Sequence, residues 1–388
     1  MNTKAEQRDH HLLLKMTFTL LTESDIEQIL DTLNPAQLNG FIDALENALA
    51  EYSCRDGVSY QSKRAAVTRP GGQVSLFMPA TTEDMIGVKI IGVRPSDKPA
   101  PIKAGQKPEP GLKSVLTICD ALGQAIGVLN AAGLTAFRTS LGSMLLFRFR
   151  KTVENIVVFG AGKQALWHIR LAVLLRGQEI RKIAIVNRST ARTDDLLSEL
   201  KSEHVALPSH ITIGAFDEDT DRNAALEALV LDADAIFCTI PSTQPLFPSS
   251  FLTSQEAQKK SRYIAAIGSY RLDMQEIDPQ LLKTLTNPSS ALPFPTYKGG
   301  VISVDSIQGC LSEAGELVKA GIPVERMLEV GALLQEKAAS DSGELSAWLQ
   351  DGFVVYKSVG VGVMDLAIGQ NLLSVAASRN IGLHVDNF

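Results

Sequence analysis

Apolar residues recur at three- and four-residue intervals in SDIEQILDTL and PAQLNGFIDALENALAEY, the spacing that lines one face of a helix. Residues 17–52 therefore read as a strand-like TFTLLT followed by two amphipathic helices, with Ser24 and Asn34 as their caps. From 62 to 130 the pattern shortens to AAVTR, QVSLFMP, MIGVKIIGV, SVLTICDA and AIGVLN, which predicts a sheet. Between the third and fourth runs lies RPSDKPAPIKAGQKPEPG, whose five prolines exclude a strand interior and predict a surface loop able to influence access. LTAFRTSLGSMLLFRF reads as a helix leading into a second unit. There IVVFG, KIAIVN, AIFCTI, YIAAIG and VISVD alternate with helical stretches, the order of a parallel α/β sheet. The chain ends on a β-like FVVYKSV and a long apolar helix that could return to the first domain.

At 388 residues the chain exceeds what one core usually supports, so two domains are expected. Its 37 Lys and Arg against 43 Asp and Glu, a formal charge of −6, favour no polyanion, so no nucleic-acid partner is expected. Cys54, Cys119, Cys238 and Cys310 are scattered without a CxxC pair or a histidine at ligand spacing, and predict neither a metal site nor a disulfide framework. The first twenty residues are too charged for a secretory signal and no run reaches membrane-spanning length, so the expected location is cytoplasmic and off the membrane.

The stretch NIVVFGAGKQALWHIR carries the most specific chemistry. An apolar strand delivers Gly160 and Gly162 into a helix start, with Ala165 where the third small residue of GxGxx(G/A) belongs. Gly160 permits the tight turn, Gly162 lets the backbone approach a pyrophosphate, and Ala165 lets the helix lie close to the strand. Phosphates then meet free N–H groups and the positive end of the helix dipole. A turn serving only packing is the alternative. The next strand ends in Asn187, Arg188 and Ser189 where an NAD site usually presents a carboxylate to the ribose, so NADP(H) is favoured and NAD(H) also admitted. Arg188 as a solvated loop charge is the competing explanation.

Together with KRAAVTRPGGQVSLFMP, GVKII, LTAFRTS, VFGAGKQA, VNRS, IAAIGSY, EAGEL and YKSVGVGVMDL, in that order, the chain resembles the ornithine cyclodeaminase/mu-crystallin family from about residue 17 to its end. The resemblance implies an α/β chain: a Rossmann-type doubly wound parallel sheet over 141–349, and an α+β substrate-binding and dimerisation domain formed by 1–140 with 350–388. It implies a homodimer that transfers hydride between a nicotinamide and the α-carbon of a small imino or amino acid. An arginine-lysine-arginine set would grip the substrate carboxylate. By position these are Arg64, Lys89 and Arg138, with Lys89 also a candidate for proton transfer at the imine nitrogen, or else a snorkelling edge-strand lysine; Arg69 competes with Arg64. Ser114, Lys163, Gln164, Thr239 and Ser358 match positions near the cofactor, Ser358 being alternatively a plain turn serine.

The pattern departs where cyclodeaminases of the family carry an aspartate. Here the residues are Gly268, Ser269 and Tyr270, and a phenol titrating near 10 does not replace a carboxylate base. Tyr270 is read as a donor beside the imine, a pocket wall or a structural ring, and Asp273 could stand in only by a three-residue shift. Of the histidines, His168 is expected at a polar surface position of the helix, His10 and His11 in a solvated tail, and His204, His210 and His384 have no recognisable partners. The expectation is an NADP(H)-dependent ketimine reductase or amino-acid dehydrogenase. Ornithine cyclodeaminase and a non-catalytic NADPH-binding protein of the mu-crystallin kind are the alternatives.

Overall fold

A computed structural model describes residues 17–94, 112–201, 207–216, 222–290, 292–340, 343–386 and 388. Most of the proline-rich stretch, and His10, His11 and His204, lie outside the described residues. The chain divides into two compact units: one runs up to Leu30 and takes in Gln61–Leu134 and Asp365–Phe388, and the other holds Asp31–Tyr60 and Thr135–Met364.

The first unit is built on a seven-stranded sheet. Its strands are β1 (Thr17–Leu21), β2 (Ala65–Thr68), β3 (Val74–Thr81), β4 (Met85–Val93), β5 (Leu112–Asp120), β6 (Ala125–Asn130) and β15 (Leu383–Asp386), in the spatial order β15-β1-β6-β5-β4-β3-β2. β1 runs parallel to β6, and every other neighbouring pair is antiparallel. The alternation in MIGVKIIGV puts Met85, Lys89 and Ile91 on a buried face and leaves Ile86 and Ile90 on the other, exposed. Helix α1 (Glu23–Asp31) begins one residue before the expected Ser24 cap. Thr22 takes that role, its hydroxyl accepting the Asp25 N–H at 3.3 Å while its own N–H donates to the Asp25 carboxylate at 2.8 Å.

In the second unit, helix α2 (Pro35–Cys54) opens on the expected Asn34, which makes a full capping box with Gln37. An eight-stranded sheet follows: β7 (Asn155–Phe159), β8 (Lys182–Val186), β9 (Thr212–Ala215), β10 (Ala235–Cys238), β11 (Tyr263–Ala266), β12 (Ile302–Val304), β13 (Met327–Glu329) and β14 (Val354–Lys357). All neighbours are parallel, in the order β9-β8-β7-β10-β11-β14-β12-β13. The order reverses at β7, so the crevice beyond the ends of β7 and β10 is the topological switch point of a doubly wound sheet. FVVYKSV, expected in the returning segment, is instead the strand β14 lodged between β11 and β12. Its residues are buried on both faces, as an interior position of a parallel sheet requires.

Helices α3 (Ala131–Phe147) and α4 (Lys163–Arg176) bracket β7 in sequence. His168 on α4 corrects the expectation of a surface residue, being fully buried. Its Nδ1 lies 2.8 Å from the Gln164 carbonyl, which only accepts, so Nδ1 carries the proton and Nε2 accepts from the Ser143 hydroxyl at 2.9 Å. Burial pushes its pKa down to about 4, and the ring is a neutral tie between α3 and α4. Among the described residues no helix is long and apolar enough to cross a membrane, and no cluster of three His, Cys, Asp or Glu gathers as for a metal ion.

Candidate active site

At the end of β7, Gly160 has φ +117°, and a Cβ there would fall 2.5 Å from the Thr239 hydroxyl, so only glycine fits. Thr239 closes the end of β10 onto β7, its N–H and hydroxyl both donating to the Phe159 carbonyl at 3.0 and 2.7 Å. Gly162 is the N-cap of α4, has ordinary φ, and a Cβ on it would point into open space. That space is what a pyrophosphate facing the helix N-terminus needs, and a methyl group would occupy it. Ala165 is fully buried. Gln164 reaches the Thr135 carbonyl at 3.5 Å and Lys163 is exposed.

The end of β8 is organised by Asn187, whose amide donates to the Ser189 carbonyl at 3.0 Å. Ser189 in turn caps helix α5 (Thr190–Leu200) by accepting the Arg192 N–H. Arg188 stands exposed between them. Beside the glycine turn is a cavity of about 230 Å³ lined by Gly162, Lys163, Arg192, Asp195 and Glu199 among others. Arg192 was not foreseen; its spacing of four from Arg188 on a helix start was the available signal.

Sequence reasoning missed a set of buried charges at the carboxyl edge of the same sheet. Lys357, at the end of β14, donates to the Ser269 carbonyl and hydroxyl at 2.8 and 2.6 Å and lies 3.3 Å from Glu316. Glu276 accepts the N–H groups of Gly268, Ser269 and Ile240 at 2.6, 3.1 and 2.9 Å. Burial raises its pKa to about 8; Lys357 opposes that rise and Glu316 adds to it. The Ser358 hydroxyl, expected near the cofactor, donates to the buried Asp305 at 2.7 Å. EAGEL and YKSVG announce two of these charges as ions inside apolar runs.

Tyr270 follows this clamped turn and is 45% exposed, with the Arg271 guanidinium 5.9 Å above its ring. Asp273 is also exposed and is held bidentately by Arg271 at 3.0 and 2.9 Å, which lowers its pKa. Arg138 on α3 is buried, with Nη1 3.4 Å from the Met364 sulfur.

In the first unit, Lys89 sits on a central strand, between β3 and β5, so it is no edge lysine. It is 1% exposed, and its ammonium contacts both oxygens of the equally buried Asp365 at 2.8 and 2.7 Å. The register pairs Lys89 with Met78 and Ala65 with Phe77, which extends Arg64 to the position opposite Met78. Arg64 is thus two strands from Lys89 on the same face, half-buried. Arg69 lies at the hairpin turn closed by its own bonds to Gln73 and Gly72, exposed and five residues further along. Ser114, paired with Ile91, shares the Lys89 face, and its buried hydroxyl has no partner among the described residues.

The profile of the ornithine cyclodeaminase/mu-crystallin family matches residues 22–372. A Delta(1)-pyrroline-2-carboxylate reductase of Bacillus cereus is 25% identical over 361 residues, covering 91% of this chain and 97% of its own. Two solved structures share the fold. An archaeal alanine dehydrogenase dimer with bound NAD has a TM-score of 0.69 at 17% identity, with 96% of this chain and all of that one covered. The Delta(1)-pyrroline-2-carboxylate reductase of Thermococcus litoralis, in complex with NADH and L-proline, has a TM-score of 0.68 at 17% identity, covering 95% of this chain and all of its own. With the glycine turn at the switch point of its parallel sheet and a match over nearly its whole length, the chain belongs to the ornithine cyclodeaminase/mu-crystallin family.

Proposed function

We propose that the protein is an NADP(H)-dependent reductase of a small cyclic ketimine carboxylate, also able to oxidise the matching amino acid. The observation that carries the choice of reduction over cyclodeamination is the state of the carboxylates in GSYRLDMQE. Asp273 is exposed and bound to Arg271, and Glu276 is buried against three backbone N–H groups. Neither is left to act as a base at a substrate amine. Reduction of a C=N bond asks less: a positioned hydride donor, a clamp on the carboxylate and a proton for nitrogen.

A bound nicotinamide supplies or accepts the hydride. In this reading Gly160, Gly162, Lys163, Gln164 and Ala165 hold its pyrophosphate, Thr239, Ser358 and Ser114 serve its nicotinamide side, and Asn187, Arg188 and Ser189 take the adenosine end. The Arg188 guanidinium, with no carboxylate in the Asn187–Ser189 turn, favours the 2′-phosphate. Arg64 and Arg138 hold the substrate carboxylate as bidentate donors. Lys89, paired with Asp365, adds a point charge or passes a proton to the imine nitrogen. Tyr270 serves as a donor or wall beside that nitrogen. The second face of the seven-stranded sheet supports a homodimer, since Phe77, Ile86, Ile90 and Val67 are exposed on it.

The experiment is NADPH oxidation, with NADH in parallel, against five- and six-membered cyclic ketimine carboxylates and against 2-oxo acids with amines. Consumption of NADPH in preference to NADH with one ketimine is the expected result. Ammonia release from ornithine without net cofactor consumption would establish the cyclodeaminase instead, and ligand-induced stabilisation without any turnover would establish a binding protein.

A further inference from the structure

Asp305 follows β12 and is fully buried. Most of the donors to its carboxylate come from the turn that leaves β14. Oδ2 accepts the Ser358 hydroxyl at 2.7 Å, the Val359 N–H at 3.1 Å and the Gly360 N–H at 2.6 Å, while Oδ1 accepts the Ser306 N–H at 2.9 Å. Lys357, one residue before the turn, gives its charge to Glu316 and Ser269. Asp305 thus balances the cost of burial with several donors converging on one anion.

The turn so fixed lies against Arg138. Gly360 has φ +84°, and a Cβ on it would come within 2.7 Å of both terminal nitrogens of the Arg138 guanidinium. On another side the guanidinium meets the Met364 sulfur. Gly360 therefore bounds one side of the fork, whose plane decides whether it can meet a carboxylate with two parallel bonds.

We propose that Asp305 is a positioning residue for Arg138, acting through the Ser358–Gly360 turn to aim the guanidinium at the substrate carboxylate. This rests on the role given to Arg138 above. It also explains the acid at this position: an asparagine would turn an NH2 group toward N–H groups that need an acceptor, and the turn would relax.

The test uses the full-length protein and two probes: pyrrole-2-carboxylate, a flat carboxylate that cannot be reduced at a C=N bond, by calorimetry, and NADPH by fluorescence. Asp305→Asn and Gly360→Ala should each weaken the carboxylate about tenfold and raise KM for ketimine more than they lower kcat, with far less effect on NADPH. Placed on Arg138→Lys, Asp305→Asn should add little, because the geometry it guards is already lost. Should Asp305→Asn fail to fold, Gly360→Ala carries the same comparison. Carboxylate affinity lost in Arg138→Lys but kept in folded Asp305→Asn and Gly360→Ala, or strict additivity in the double variant, overturns the inference and leaves the proposed function standing. No carboxylate binding by the unaltered protein overturns both.

Discussion

The glycine turn and the buried charges of this protein solve opposite problems. At Gly160–Gly162 the site is made by leaving side chains out, so that backbone N–H groups and open space face a ligand. At Lys89–Asp365, and at Lys357–Glu316 with Ser269, charge is carried into the interior and each ion is met by a fixed partner. The first kind of site tolerates little bulk yet holds no buried charge. The second is vulnerable because either ion alone would be an uncompensated charge in a medium that solvates it poorly.

Substitutions can pull that contrast apart. The largest effect is expected at the ion pair: Lys89→Met should destabilise folding by about 3–5 kcal/mol in urea denaturation, and adding Asp365→Leu should restore most of that stability without restoring activity. Recovery of activity along with stability would remove Lys89 from the chemistry.

Next comes His168, whose pKa is lowered to about 4 in the folded state against about 6.5 when unfolded. The unfolded chain binds that proton first, so stability present above pH 6.5 should fall as pH drops and level off below 4, a loss of up to about 3 kcal/mol. His168→Gln should flatten this acid limb in pH-dependent melts, whatever its effect at neutral pH.

The cradle should respond in ligand binding and hardly in stability. Gly162→Ala, with room for its methyl group and an allowed φ, should melt near the unaltered temperature yet bind either nicotinamide dinucleotide about ten- to a hundredfold more weakly. Arg188→Ala should weaken NADPH by about tenfold in fluorescence titration and leave NADH unchanged, because only the 2′-phosphate is lost as a partner. The smallest change is expected from Tyr270→Phe. A severalfold fall in kcat, with KM for ketimine held, would mark the hydroxyl as a donor, and no change would mark Tyr270 as a wall.

The same contrast explains what could be read from the sequence. A glycine turn is local: strand, Gly160, Gly162 and helix lie within one short run, so its placement followed from pattern. The parallel sheet was legible too, since each buried strand is a short apolar run bounded by turns. The insertion of β14 between β11 and β12 was not, because nothing in FVVYKSV states which strand it pairs with. Long-range pairing is also why Asp365 and Asp305 went unseen, Lys89 lying 276 residues from the first and the Ser358–Gly360 turn 53 to 55 residues from the second. His168 misled for a related reason: one polar residue in KQALWHIRLAVLLR suggests solvent until Ser140 and Ser143 on another helix supply its partners.

The most direct test of the central claim follows the hydride itself. The protein is given NADPH carrying deuterium at the transferring position of the nicotinamide, together with 1-pyrroline-2-carboxylate, and the product is examined by NMR. The account predicts proline with deuterium at the α-carbon, formed in step with NADPH oxidation and lost on Arg138→Ala while NADPH still binds. Proline absent here, with ammonia and proline formed from ornithine at no net expense of NADPH, would contradict it.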